Sequence, residues 1–108
     1  MGRLLYGSDA IEFDDRVLAH IQVVAGGKLR RSEPFFVSWD VDDAAGGGRV
    51  SLWLSPWIPL RFEYTDANRP TLNPDWLNAM AVSAGSNQGL VLSEEPPPAE
   101  PEGKQVTR

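Results

Sequence analysis

The chain has 108 residues, a formal net charge of -5 and 42% hydrophobic residues, a composition typical of a globular domain rather than a fibrous or membrane protein. It contains no cysteine, so disulfides, thiolate metal sites and a cysteine nucleophile are excluded. The acidic balance disfavours non-specific binding to nucleic acid. The N-terminal residues lack the apolar stretch of a secretory signal, and no apolar run is long enough to span a bilayer, so we expect a cytoplasmic protein without membrane contact.

The first third of the sequence predicts a β-hairpin followed by a helix. Residues 3–6 and 11–13 are β-prone and are separated by turn residues. The acidic pair at 14–15 then supplies a helix N-cap and a favourable first-turn charge. A 3.6-residue apolar pattern continues over 16–31, which indicates a helix with one apolar stripe against the core.

Residues 35–64 alternate between apolar and polar side chains with a period of two, which predicts a three-stranded antiparallel meander. Val41 is expected opposite Val50, and Leu54 opposite Leu60. This register keeps every aliphatic residue of the inner row on the face that meets the helices.

The last part of the sequence predicts a helix, a short strand and a tail. Asn73, followed by a proline and an aspartate, is a strong signal for the start of a helix. Residues 90–92 are predicted to form a strand. The acidic, proline-rich segment 93–108 is predicted to be disordered, which leaves 1–92 as a single domain. The expected fold is α+β in the order ββα-βββ-α-β, a mainly antiparallel sheet with two helices packed on one face.

An aromatic surface is the first candidate site. In the predicted register Trp53 lies opposite Ser38 on one side and Arg61 on the other. Phe36 is diagonal to Trp53, and Trp57 lies just beyond on a proline turn. The residues Phe36, Trp53, Trp57 and Arg61 are therefore predicted to form a contact surface for a protein partner or a second copy. The alternative is that the second helix or the opening hairpin covers this face.

A basic group at the end of the first predicted helix is the second candidate. Lys28, Arg30 and Arg31 stand where the negative end of a helix dipole accounts for them. The alternative interpretation is an accessory protein that contacts nucleic acid phosphates through these residues and Arg16, with aromatics stacking on bases.

His20 is the only histidine, and a single histidine rules out a multi-histidine metal site. We expect it at the edge of the apolar stripe with one polar tip satisfied; the alternative is a small enzyme with His20 as general base. The aspartates Asp40, Asp42 and Asp43 lack the spacing of a calcium loop. We predict no metal, no cofactor and no catalytic residues.

Several segments, which together cover nearly all the chain before the tail, carry a family resemblance. They are Gly2–Gly7, Ile11–His20, Gly27–Arg31, Pro34–Trp39, Val50–Leu54, Ile58–Leu60, Leu72–Asn73 with Trp76, and Leu90. Together they resemble small actinobacterial proteins of an unknown-function family, for which no catalytic residues are established.

Members of that family often carry the label ATP-dependent DNA ligase, which the residues allow us to test. Ligase chemistry uses a lysine nucleophile, typically in K-x-D-G. Lys28 is followed by leucine and two arginines, and Lys104 by glutamine, valine and threonine, so neither fits. The sequence therefore favours a non-catalytic binding or self-associating domain over autonomous ligase activity.

Overall fold

The strands and helices follow one another in the order ββα-βββ-α-β that the sequence predicts, which confirms the α+β class. A computed structural model describes residues 1–97. The elements are β1 Gly2–Tyr6, β2 Asp9–Phe13, α1 Asp15–Arg30, β3 Phe35–Asp40, β4 Arg49–Leu54, β5 Leu60–Glu63, α2 Pro74–Ala84 and β6 Leu90–Val91. Neither helix in this part of the chain is long and apolar enough to cross a membrane.

The strands form two three-stranded sheets, in the orders β2-β1-β5 and β4-β3-β6. The predicted meander of β3, β4 and β5 is wrong, because β5 pairs antiparallel with β1. In this pairing Phe62 lies opposite Leu4, and Leu60 lies opposite Tyr6. Strand β6 runs parallel to β3, while the other pairs are antiparallel.

The connection after β4 explains why β5 changes sheet. It contains Pro56 and Pro59, whose fixed φ and missing N–H groups disfavour a tight hairpin back along β4. The hydroxyl of Tyr6 accepts a hydrogen bond from the backbone N–H of Ser55 at 2.8 Å. This bond holds the end of β4 beside β1, the strand that β5 then joins.

The register of β3 and β4 differs from the prediction by two residues. Val50 lies opposite Trp39 rather than Val41. A shift of two residues preserves the side chains on each face, so Phe35, Val37 and Leu54 are buried as predicted. The shift changes which side chains are neighbours across the two strands, on both faces.

The core lies between the two sheets and the two helices. Helix α1 packs against β1, α2 packs against β3 and β6, and the helices contact each other. The helices thus do not share one face of a single sheet as expected. The buried apolar residues are Leu4, Tyr6, Leu18, Ile21, Val24, Ala25, Phe35, Val37, Leu54, Trp76, Met80, Ala84 and Leu90. At one side the rings of Phe13 and Trp39, 5.2 Å apart, bridge the two sheets.

The ordered contacts of the domain extend beyond the predicted boundary at residue 92. Glu95 forms an ion pair with Arg16, and the carbonyl of Pro96 accepts a hydrogen bond from the side chain of Asn73. The start of the segment assigned to the tail therefore belongs to the packed domain. The rest of the predicted tail, 98–108, lies outside the described residues.

Two glycines provide a matched test of the packing of β6 against β3. Gly89 has a φ of +81°, and a Cβ there would lie 2.5 Å from the carbonyl oxygen of Phe36, whereas a Cβ on Gly26, inside α1, would meet nothing within 4 Å. We expect Gly89→Ala to lower the free energy of unfolding by more than about 1 kcal/mol. Gly26→Ala should raise it by about 0.5–1 kcal/mol. Urea unfolding followed by tryptophan fluorescence measures both, and a Gly89→Ala variant as stable as the parent would contradict the close approach.

Candidate interaction surface

The face of the β4-β3-β6 sheet that turns away from the helices carries the predicted aromatic residues. Side chains alternate along a strand, so the burial of Phe35, Val37 and Leu54 directs their neighbours outward. We call this the outer face; its central residues are Phe36, Ser38, Ser51, Trp53 and Val91, of which all but Ser38 are exposed.

Phe36 and Trp53 form an exposed aromatic pair on the outer face. They lie directly opposite each other rather than diagonally as predicted, with ring centroids 4.7 Å apart in an edge-to-face arrangement. Such a pair contributes about 0.5–1.5 kcal/mol beyond its buried area. Phe36 is 39% exposed and Trp53 is 48% exposed, so the indole points outward as the alternation predicts. Trp57, in the turn after β4, is 85% exposed.

Arg61 does not lie beside Trp53 in a sheet. It is in β5, opposite Leu5 of β1, and its Nη2 lies 3.0 Å from a carboxylate oxygen of Glu63. The predicted stacking of the guanidinium on the indole depended on pairing between β4 and β5, which does not occur. Of the four predicted surface residues, the structure pairs Phe36 with Trp53 and assigns Arg61 to the other sheet.

Strand β4 ends its sheet, so one of its edges has no strand partner in the described chain. The N–H of Val41 donates to the carbonyl of Gly48 at 2.8 Å. Because hydrogen-bonded and non-hydrogen-bonded residue pairs alternate along an antiparallel ladder, every second residue of β4 directs its N–H and C=O away from β3. These residues are Arg49, Ser51 and Trp53.

This edge was not predicted from the sequence, because the alternating pattern indicated that β5 pairs with β4 there. The short contact between the hydroxyls of Ser38 and Ser51, 2.8 Å, agrees with a non-hydrogen-bonded pair, in which side chains approach most closely. The prolines at 56 and 59 are the sequence feature that could have indicated the free edge, since a connection with two prolines argues against a simple hairpin between β4 and β5.

The predicted basic residues do not form one patch. Arg16 and the group at 28–31 lie near opposite ends of α1, about 18 Å apart along the axis at 1.5 Å per residue. Lys28 and Arg31 both contact Glu33, at 3.4 Å and 3.3 Å. These ion pairs lower the pKa of Glu33 below its usual value, through the hydrogen bonds from Arg31 first and Lys28 second.

His20 is fully buried, which corrects its predicted place at the edge of the apolar stripe. Its Nδ1 lies 2.7 Å from the carbonyl oxygen of Arg16, and its Nε2 accepts a hydrogen bond from the backbone N–H of Asn73 at 2.9 Å. In this arrangement Nε2 is the acceptor and Nδ1 the donor of the two hydrogen bonds. The ring of Trp76 packs against it with centroids 4.5 Å apart. Both nitrogens are engaged in hydrogen bonds within the protein, and the ring has no exposed surface.

Four residues, His20, Arg16, Asn73 and Glu95, form a connected polar cluster. Arg16 donates to Glu95 through Nε and Nη2, each 2.6 Å from a carboxylate oxygen, and the side-chain amide of Asn73 donates to the same carboxylate at 3.0 Å. These bonds lower the pKa of Glu95 to about 2, with Arg16 the larger cause. Asn73 also caps α2 by accepting from the N–H groups of Asp75 and Trp76.

A cleft of about 730 Å³ lies between α1, β5 and the segment that follows β5. Its lining includes Ala19 and Val23 of α1 and Leu60, Phe62 and Arg69. Two further lining residues are bonded to each other, since the hydroxyl of Tyr64 donates to the side chain of Gln22 on α1.

Residues 1–97 thus form a small α+β domain with an exposed aromatic sheet face and an edge strand, β4, that has no second strand partner among them. Residues 1–95 match a family described as a domain of unknown function (DUF7882), and the chain belongs to that family. The match includes Glu95 and therefore the whole polar cluster. No curated protein and no solved structure matches the chain.

His20 should be essential for stability. His20→Ala removes a fully buried ring and leaves the carbonyl of Arg16 and the N–H of Asn73 without their partner. We expect a loss of about 2–4 kcal/mol in the free energy of unfolding, measured by urea titration. Val82→Ala, at a residue of α2 that is 78% exposed, should change it by less than about 0.5 kcal/mol. A loss for His20→Ala as small as the control's would contradict a structural role.

The ionised form of Glu95 should stabilise the fold in a pH-dependent way. Its folded pKa of about 2 lies below its ordinary value of 4.5, so its contribution is complete above pH 4.5 and is lost as the pH falls through 2. Glu95→Gln should therefore lower stability at neutral pH and flatten the fall of stability on acidification. Glu94→Gln, which alters an exposed neighbour, should leave the pH profile unchanged. If the free energy of unfolding depended on pH in the same way for the parent and for Glu95→Gln, the ion pair would contribute nothing to stability.

Proposed function

We propose that this domain is a non-catalytic binding module that self-associates through the β4-β3-β6 sheet, with the aromatic residues of its outer face taking part in the contact. The observation that carries the proposal is the edge-to-face pair of Phe36 and Trp53, both more than a third exposed. Large aromatic residues are enriched where proteins bind each other, and contiguous apolar patches on a surface commonly mark such sites.

The position of these aromatic residues supports self-association. They project from adjacent strands of a sheet that is packed on its other face, so their backbone is held by the core. A rigid aromatic side chain loses little conformational freedom on binding and supplies much contact area. Trp57, which is in the next turn, adds a second exposed indole near the end of β4.

The nucleic-acid alternative has less support from the geometry. Arg16 is bound by Glu95, while Lys28 and Arg31 are bound by Glu33, so three of the predicted phosphate contacts already have acidic partners. The chain as a whole has a net charge of -5. Phosphate binding through these residues would first require breaking intramolecular ion pairs.

We do not propose an enzyme. A general base needs an accessible, unengaged nitrogen, and both nitrogens of His20 are bonded within the interior. The ligase label associated with the resemblance to actinobacterial sequences requires a lysine nucleophile. Lys28 instead contacts Glu33 and lies 6.0 Å from the ring of Phe35, in a sequence without the K-x-D-G motif.

Self-association is tested by molar mass in solution. We expect the parent protein to exceed the 11.9 kDa of one chain in light scattering, increasingly at higher protein concentration. Trp53→Ser should shift the protein toward the mass of one chain because it removes the centre of the surface. Val82→Ser, which removes an exposed apolar residue from α2, is the matched control and should behave like the parent. A parent mass of one chain at every concentration would refute the proposal.

A further inference from the structure

We infer that the protein associates edge to edge: β4 of one copy pairs antiparallel with β4 of a second copy, centred on Ser51. This inference rests on the proposed self-association and specifies its geometry. The result would be one continuous sheet across the two copies, with the outer faces and their aromatic pairs on the same side.

Strand β4 is the edge least protected against such pairing. Natural edge strands are blocked by proline, lysine, bulges, inward charges or very short length. Strand β4 is six residues long, RVSLWL, and has neither proline nor lysine. Among the other edge strands of residues 1–97, β6 has two residues, β2 carries Asp9 and Glu12, and β5 has four residues, two of them charged.

The hydrogen-bond pattern selects the register. Arg49, Ser51 and Trp53 direct their backbone groups toward the free edge, as the bond between Val41 and Gly48 establishes. When Ser51 faces Ser51 of the second copy, Arg49 faces Trp53 of that copy, and each of these outward groups finds a partner. A register centred on Leu52 would place Arg49 opposite Ser55, beyond the end of the strand.

Symmetry and side chains favour the same register. A two-fold axis perpendicular to the sheet keeps both core faces on one side and makes facing residues share a face. On the outer face the guanidinium of Arg49 would then lie over the indole of Trp53 from the second copy, an arrangement suited to cation–π attraction. On the inner face Val50, which is 40% exposed, would be covered by Leu52 of the second copy.

The absence of native cysteine makes the register directly measurable. A facing hydrogen-bonded pair has its Cα atoms about 5.5 Å apart, within the range of a disulfide. We expect Ser51→Cys to form a disulfide-linked dimer under mild oxidation, and to do so on the order of tenfold faster than a control thiol, because pairing raises the effective concentration. Arg49→Cys is the matched control. It is exposed on the same strand, but in this register each Arg49 faces Trp53 and lies far from the other Arg49.

The outcomes separate this inference from the proposal on which it rests. Faster cross-linking of Ser51→Cys than of Arg49→Cys, in a parent protein that light scattering shows to be dimeric, supports both. A dimeric parent in which Ser51→Cys cross-links no faster than Arg49→Cys overturns the edge pairing and leaves the self-association intact. A monomeric parent overturns both. Tryptophan fluorescence and circular dichroism of each cysteine variant establish that it is folded like the parent.

Discussion

The pairing of β5 with β1 is the constraint on which the rest of the structure depends. The prolines at 56 and 59 and the bond from Ser55 to Tyr6 carry the chain from one sheet to the other. Two consequences follow from this single crossing. Leu60 and Phe62 enter the first sheet opposite Tyr6 and Leu4, and β4 is left at the end of the second sheet, where one of its edges has no strand partner within residues 1–97.

A polar cluster lies beside the apolar core. Its residues, Arg16, His20, Asn73 and Glu95, join α1, the start of α2 and the segment after β6 through hydrogen bonds; His20 and Asn73 are buried, while Arg16 and Glu95 are partly exposed. A half-satisfied polar network would cost more than an apolar one, so these residues are best understood as a unit. The only histidine of the chain is thus held in place by hydrogen bonds at both ring nitrogens.

Local sequence patterns were sufficient to predict the helices and strands and which face of β3 and β4 is buried. Asn73 and Pro74 begin α2 where the capping signal indicated, and the period of two placed Phe35, Val37 and Leu54 in the core. The outward direction of Trp53 followed from the same alternation. Burial of His20 was not predictable in this way, because it depends on the backbone N–H of Asn73, which lies 53 residues away in the chain.

The sequence by itself determined the α+β class, the order of the elements and which side of β3 and β4 faces the core, since each depends on residues a few positions apart. Only the tertiary structure decided that the strands of residues 1–97 form two sheets, that Arg61 and Trp53 belong to different ones, and that β4 is an edge strand among them. Which strands pair depends on contacts between segments that are distant in the sequence. The alternation of side chains along a strand is compatible with several partners, and packing in the core shared by α1, α2 and both sheets determines which pairing is stable.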